Sequence, residues 1–364
     1  MNATAMQHQA SRTIELPLSR DYVRQWGVTE AVRELIQNAI DSDSPFEHSF
    51  YGDTLTISSR ESSLESRTLI LGATSKADDT KKIGSFGEGY KIALLVLTRE
   101  GLPVFIRNGY YDWVPSFVHS QNFGAEVLCI TEVPAERVGQ GLEFVIGGLS
   151  HQQASDIRES CLLMQPEMLD AIDTPRGRIL PSKPGKLYVG GLFVCDTKLT
   201  YGYDMKPEYL KLERDRKTVD EFDIKFQTKE MWFSTQRWDE IATLMESQIP
   251  DLEYAEYGCP ELVKEACYRK FQEQNPGAIA VKSQKEMEEA VSKGMVKTVY
   301  VGGGYHAALT QSSSYQTSMA HVIRVASPKE WLTDWLEKHQ RIMSHPLRIE
   351  FKQVIQASEK WSVK

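Results

Sequence analysis

The stretch VRELIQNAIDS, Val32 to Ser42, decides how this chain of 364 residues is interpreted, together with IGSFGEGYK, Ile83 to Lys91. In the first stretch, Glu34, Asn38 and Asp41 are spaced i, i+4 and i+7, so at about 100° per residue they share one helix face. The apolar residues between them lie mostly off that face and can pack into a core. A polar stripe on such a helix is costly to bury unless it binds something.

The second stretch has three glycines, Gly84, Gly87 and Gly89, directly before the apolar, helix-like run Tyr90 to Leu97. Glycine lets the backbone approach a ligand closely, and the amides at a helix N-terminus favour anions. A phosphate is therefore the favoured ligand. Taken separately, the polar stripe fits a solvated helix face equally well, and the glycines fit an ordinary loop better. Together, in this order, the two stretches predict one nucleotide site.

This pair of motifs resembles the GHKL ATPases, which include gyrase, the heat-shock chaperone ATPases, histidine kinases and MutL, with the MORC proteins as relatives. ELIQNAID resembles their N-box, IGSFGEGYK their second glycine box, and GATSK, Gly72 to Lys76, the lid segment of MutL. The resemblance covers roughly the first 150 residues. It implies an α+β fold with a two-layer sandwich of the ATP-binding (Bergerat) type, with ATP and Mg²⁺ as cofactors.

The resemblance also implies roles for individual residues. Glu34 would activate water, Asn38 would bind magnesium through a neutral oxygen, and Asp41 would support the site. A second domain of the family supplies a basic residue to the terminal phosphate, for which Arg214 and Arg216 are candidates. A surface ion-pair cluster is the slightly favoured alternative for these two arginines. The remaining residues expected at the nucleotide are Thr74, Ser75, Lys76, Gly84, Phe86, Gly87, Glu88, Gly89, Tyr90 and Lys91.

One motif of the family is missing. Most GHKL proteins carry a DxGxG box, whose Asp reads the adenine amino group, after the strand that follows the N-box helix. Here the segment Ser58 to Leu69 contains neither Asp nor Gly, and the late Gly-Thr pair that supports this Asp is replaced by GLEF, Gly141 to Phe144. The alternatives left open as base acceptors are Glu61, Glu65, Ser62 and Ser63. The phosphate half of the site is predicted, and the base half is left open.

Three parts are predicted along the chain: a nucleotide-binding domain over 1–150, a transducer-like α/β domain over 151–255, and a C-terminal α/β and helical region over 256–364. Helices over Val28 to Ser42 and from Tyr90 are followed by four short apolar runs rich in β-forming residues. This order favours helices on an antiparallel sheet.

In the C-terminal region, a βαβ-like unit is predicted between Ala278 and Val301. The glycines that follow, Gly302 to Gly304, could hold an anion, but a tight turn is their more frequent role. Trp331, Trp335 and Ile342 lie at helical spacing and predict a core or an interface rather than a ligand platform.

Composition narrows the function classes. The formal net charge of −8 argues against a protein whose whole surface binds nucleic acid. No apolar run approaches the roughly 20 residues of a membrane span, and the N-terminus lacks the apolar core of a signal peptide. We therefore expect a cytoplasmic protein, in the host cytoplasm if the similarity to GHKL proteins of tailed bacteriophages holds. The five cysteines lack CxxC spacing, which favours buried thiols over disulfides or zinc.

The leading hypothesis is a magnesium-dependent ATPase whose lid and domains rearrange with the nucleotide state. The alternative is a nucleotide-gated binding or adaptor protein with negligible turnover that recruits a protein or nucleic-acid partner. A histidine-kinase-like phosphotransferase is disfavoured, since none of the eight histidines lies in a recognisable dimerisation helix before the N-box. A homodimer is common in the family, but no dimer signature stands out here.

Overall fold

The helix predicted around the N-box-like motif is present as α1 (Val28–Ile40). It begins after Gly27, whose backbone N–H donates to Glu30 Oε2 at 3.0 Å, so one of the donors at the helix start is satisfied. The Glu30 carboxylate in the first turn also interacts favourably with the helix dipole. The apolar face of α1 is buried and consists of Val28, Ala31, Val32, Leu35, Ile36 and Ala39.

The computed structural model describes residues 12–42, 45–60, 62–69, 89–139, 141–210, 220–292, 297–322 and 328–358. The chain divides into two compact units, 1–220 and 221–364. The predicted division into three parts stays a prediction.

The first unit contains a seven-stranded sheet. Its strands are β1 (Arg12–Ser19), β2 (Glu47–Tyr51), β3 (Thr54–Ser59), β4 (Val104–Asn108), β5 (Tyr111–Ser120), β6 (Ala125–Pro134) and β7 (Leu142–Ile146). They are ordered β1-β6-β5-β4-β7-β3-β2, and every neighbouring pair is antiparallel. The helices that share a core with this sheet are α1, α2 (Gly89–Arg99) and α3 (His151–Glu159). The α+β fold class is therefore confirmed.

Side chains alternate between the two faces of each strand, and this alternation determines which of them lie in the core. On β3, Leu55 and Ile57 are fully buried in the cluster that includes α1 and α2, and the residues between them are partly exposed. On β7, Phe144 and Ile146 join the same cluster. Because strand side chains alternate between faces, Ser59 points to the same side of the sheet as Ile57.

A second, five-stranded sheet lies in the same unit. Its strands are β8 (Ile172–Thr174), β9 (Gly177–Leu180), β10 (Lys186–Val189), β11 (Leu192–Asp196) and β12 (Gly202–Met205). Their order is β11-β10-β12-β9-β8, with β10 and β12 parallel. The turn between β10 and β11 lies at Gly190 and Gly191, which have φ of +57° and +81°. Buried Asp204 holds it by accepting the Gly191 N–H at 2.7 Å and pairing with Arg178 at 2.7 Å.

The second unit is mainly helical. Its helices are α4 (Glu221–Ser234), α5 (Trp238–Glu246), α6 (Glu261–Gln274), α7 (Gln284–Ser292), α8 (Gly303–Gln311), α9 (Ser313–Val322), α10 (Pro328–His339) and α11 (His345–Ser358). Strands β13 (Ile279–Val281) and β14 (Thr298–Tyr300) are parallel and flank α7, which confirms the predicted βαβ unit. No helix within the described ranges combines the length and apolarity needed to cross a membrane.

The sequence pattern predicts a helix over Met231–Ile249, but the structure has a break there between α4 and α5, where Gln236 has φ of +57°. The Thr235 hydroxyl there donates to the Trp232 carbonyl at 2.7 Å, a local bond that competes with helix continuation. Ile342, predicted in a core or an interface, is not in the core, since it is 83% exposed in the turn between α10 and α11. A role in an interface stays a prediction.

Candidate functional site

Glu34 and Asn38, one turn apart on α1, face the first residue of α2. A Cβ placed on Gly89 would overlap the Glu34 carboxylate at Oε2 and would lie 3.5 Å from Asn38 Nδ2. Glu34 is 2% exposed, and Asn38 is half-buried. The two sequence motifs, distant along the chain, therefore meet in space at Gly89.

Glycine is required at position 89 by space rather than by backbone conformation. Its φ does not lie in the left-handed region, yet a methyl group has no room beside Glu34. The backbone amide at the start of α2 can consequently approach the α1 face closely. A helix N-terminus carries partial positive charge, so the start of α2 and the Glu34 carboxylate place groups of opposite charge side by side.

The orientation of the Asn38 amide is fixed by its own helix. Nδ2 donates to the Glu34 carbonyl at 2.7 Å. This bond occupies the amide nitrogen and leaves Oδ1 as the acceptor atom of the side chain. A neutral amide oxygen beside a carboxylate is a donor set that Mg²⁺ accepts.

The polar surface continues towards the C-terminal end of α1. Asp41 is 5% exposed, and its N–H donates to the Gln37 carbonyl at 2.9 Å. Ser42 Oγ donates to the Ala39 carbonyl at 2.6 Å and lies 3.4 Å from Ser59 Oγ, at the end of β3. The line of polar groups that begins at Glu34 therefore passes from the helix to the sheet.

Sequence reasoning missed two further buried polar residues of α1. Arg33 is 8% exposed and Gln37 is 2% exposed, although neither lies on the arc defined by Glu34 and Asn38. No pattern in the local sequence marks these two residues, because their burial depends on the tertiary packing of the helix.

Tyr90 and Lys91, predicted at the nucleotide, lie in the first turn of α2. The Tyr90 hydroxyl donates to the Thr68 carbonyl at 2.8 Å, and burial raises the pKa of Tyr90 to about 12, so this hydroxyl keeps its proton. Lys91 is fully buried, with Nζ 5.4 Å from the centre of the Tyr90 ring. A charged lysine persists in such a place only when its environment compensates the charge.

The GLEF segment does not offer its glutamate to the site. Leu142 and Phe144 belong to the core shared with α1, so Glu143 points to the opposite face of the sheet. There it pairs with Arg137 at 2.7 Å and lies 3.7 Å from Arg107. Glu143 is therefore committed to an ion network away from α1.

The base acceptors left open by the sequence fall in the chain after β3. Asn108 holds this segment through Leu64, donating from Nδ2 to the carbonyl at 2.7 Å and accepting the Leu64 N–H at Oδ1 at 3.1 Å. Ser62 is half-buried, and its N–H donates to the Ser59 carbonyl at 3.2 Å. The side chains of Ser63 and Glu65 are exposed.

Several predicted site residues lie outside the described ranges and keep their status as predictions. They are Glu61, Thr74, Ser75, Lys76, Gly84, Phe86, Gly87, Glu88, Arg214 and Arg216.

No family model matches the chain. It is similar to an uncharacterised protein of Mycoplasma pneumoniae, with 26% identity over an alignment of 212 residues that covers 53% of this chain and 86% of that protein. Function is therefore inferred from the residues of the site.

In the part of the chain that the structure describes, no group of three or more His, Cys, Asp or Glu side chains is arranged to hold a metal ion. A magnesium ion that enters with a nucleotide takes most of its ligands from phosphates and water. Such an ion requires only one or two protein oxygens, which Asn38 and its neighbours on α1 can supply.

Proposed function

We propose that this protein binds ATP with Mg²⁺ between α1 and α2 and hydrolyses it slowly, as a GHKL-type ATPase. The observation that carries the proposal is the contact of Gly89 with Glu34 and Asn38. This contact joins the two motifs whose combination resembles the family. It also brings the start of α2 directly against the buried Glu34 carboxylate, where a methyl group has no room.

Each residue would have a distinct task in the reaction. Glu34 would orient the attacking water and accept its proton, which requires a carboxylate held in a fixed place. The α2 amides at Gly89 would hold a phosphate, and Asn38 Oδ1 would ligate magnesium. Magnesium, when bound, neutralises charge on the phosphates.

The proposal extends to the architecture and to residues beyond the described ranges. An antiparallel sheet that shares one core with α1 and α2 supports a Bergerat-type sandwich. Thr74, Ser75 and Lys76 would form part of the lid, and the glycine box would contact the phosphates. Arg214 or Arg216 would approach the terminal phosphate. A cytoplasmic location is part of the same proposal.

The test compares phosphate release from MgATP by the wild type and by Glu34→Gln. We expect the variant to lose at least about hundredfold in rate while still binding AMPPNP, because the amide keeps the shape but cannot accept a proton. Glu100→Gln, an exposed acid just after α2, is the control and should keep the wild-type rate. Equal rates in Glu34→Gln and wild type would refute the hydrolytic role.

A second candidate function is nucleotide-gated recruitment of a partner with negligible turnover. The observation that favours it is the exposed apolar surface of the α10–α11 hairpin, where Trp331 is 57% and Ile342 83% exposed. Exposed large apolar groups of this kind often mark interaction sites. Tight AMPPNP binding by wild type without phosphate release above the protein-free rate would select this function. Calorimetric titration without nucleotide binding would exclude both.

A further inference from the structure

We infer that the base of the nucleotide is read by the hydroxyl of Ser59, with that of Ser42 beside it, and that the site therefore accepts adenine and guanine nucleotides with similar affinity. This inference rests on the proposed function, because it concerns the other end of the same site. Its support is the placement of polar groups along α1 and at the end of β3.

The direction in which a nucleotide would extend from the phosphate end follows from α1. On the N-terminal side of Glu34, the next carboxylate, Glu30, accepts the Gly27 N–H, and Ala31 is fully buried in the apolar core. On the C-terminal side, polar groups continue as far as Ser42, eight residues on. Eight residues correspond to about 12 Å along a helix, a length comparable with that of an extended nucleoside triphosphate.

Ser59 lies at the end of that path. It is the last residue of β3, is 3% exposed, and points to the α1 side of the sheet by the same alternation that buries Ile57. Its Oγ is 3.4 Å from Ser42 Oγ, which joins the end of the strand to the end of the helix. A base that contacts Ser59 would lie where the end of β3 meets the end of α1.

Close packing holds this strand end in place. Gly141 has φ of +89°, and a Cβ on it would overlap the backbone of Ser59 and Arg60. Ser59 also pairs with Leu142 in the β3–β7 ladder. The hydroxyl of Ser59 is therefore presented from a backbone with little room to move.

The hydroxyl groups of Ser59 and Ser42 explain why the site would not distinguish adenine from guanine. Adenine carries an amino donor at the position where guanine carries a carbonyl acceptor. An ionised carboxylate only accepts hydrogen bonds, so it favours adenine, whereas a serine hydroxyl can either donate or accept. Ser42 Oγ is the donor to the Ala39 carbonyl at 2.6 Å and to Ser59 Oγ at 3.4 Å, so Ser59 keeps its own hydrogen and its hydroxyl can rotate to suit either base.

The experiment is calorimetric titration of the full chain with AMPPNP and GMPPNP in the presence of Mg²⁺. We expect the two dissociation constants of wild type to agree within about tenfold. Ser59→Asp introduces a carboxylate, which only accepts hydrogen bonds. It should weaken the binding of GMPPNP by at least about tenfold relative to the binding of AMPPNP. Ser49→Asp makes the same charge change at an exposed serine of β2 and should leave the ratio of the two dissociation constants unchanged.

The ratio of the two dissociation constants of wild type tests the inference even if Ser59→Asp fails to fold. A preference of wild type for AMPPNP above tenfold overturns it, and loss of that preference in Asp41→Asn would assign base reading to Asp41 instead. Such a result leaves the proposed ATPase intact. If neither nucleotide binds, the proposed function fails and this inference fails with it.

Discussion

At the scale of single residues, Gly89 is the position where the site tolerates least change. We expect Gly89→Ala to push the Glu34 carboxylate aside, to cost about 1–3 kcal/mol of stability and to weaken AMPPNP binding. Gly303→Ala is a matched control, because Gly303 also begins a helix but has open space around it. Urea unfolding and calorimetric titration measure the two effects. If the two alanine variants have the same stability and nucleotide affinity, the predicted clash between residue 89 and Glu34 is wrong.

The cysteines allow a second prediction at this scale. Burial raises the pKa of Cys161 and of Cys259 to about 11, and Cys129 and Cys267 are also buried with raised pKa values. Because the thiolate is the reactive form, these thiols should react slowly in the folded protein at pH 8. Cys195 is half-buried and should react first.

Labelling with a chromogenic disulfide reagent tests this order of reactivity. We expect at most one rapid equivalent in native buffer and five in denaturant, and Cys195→Ser should abolish the rapid phase. Several rapid equivalents in native buffer would contradict the burial of the other four. The sequence-based expectation of buried thiols is confirmed for those four residues, and the structure shows all five as free cysteines.

At the scale of elements, an ion network joins the strands on the face of the large sheet away from α1. Arg107 on β4 donates to both carboxylate oxygens of Asp112 on β5 at 3.0 Å, and Glu143 on β7 lies beside it. These side chains are at most 12% exposed. Removing one partner would leave a charge with little access to water.

We therefore expect Asp112→Ala to destabilise the first unit by about 3–5 kcal/mol. The control is Glu47→Ala, which breaks the Arg60–Glu47 pair between two largely exposed side chains and should cost no more than about 1 kcal/mol. The free energy of urea unfolding measures both changes. Comparable small losses would mean that the network contributes little to strand pairing.

The elements also show how much the sequence could predict. Periodic apolar residues were sufficient for α1, for α2 and for β4 to β7, because their pattern reflects the face that each element buries. The strand β2 was missed, since it lies at the sheet edge and its residues are partly or fully exposed. The contact of Gly89 with Glu34 could be anticipated only through the family resemblance. The position of Ser59 beside Ser42 depends on strand register, which the local sequence does not encode.

At the scale of the whole molecule, a buried histidine links stability to pH. Burial lowers the pKa of His306 below its ordinary value of 6.5. His306 Nε2 lies 3.3 Å from Glu286, whose charge opposes the lowering without cancelling it. His306 is therefore neutral in the folded protein at pH 7.

A group whose pKa is lowered on folding stabilises the protein above its unfolded pKa, and that stability declines as pH falls below 6.5. We expect the melting temperature to fall between pH 7.5 and pH 5.5, and to fall less in His306→Gln. His345→Gln, at an exposed histidine of the same unit, should follow wild type. Circular dichroism measures the melting temperature at the two pH values. A larger fall in His306→Gln than in wild type would show that His306 does not cause the loss of stability at low pH.

The hydrogen bond from Tyr90 to Thr68 affects how readily insertions and deletions between these residues are tolerated during evolution. It joins two residues that are 22 positions apart in the sequence. The entropy cost of closing a chain segment rises by only about 0.6 kcal/mol for each doubling of its length. Insertions and deletions between these anchors are therefore inexpensive as long as the phenol at position 90 finds its acceptor. We expect relatives to vary in length there while keeping the two anchors.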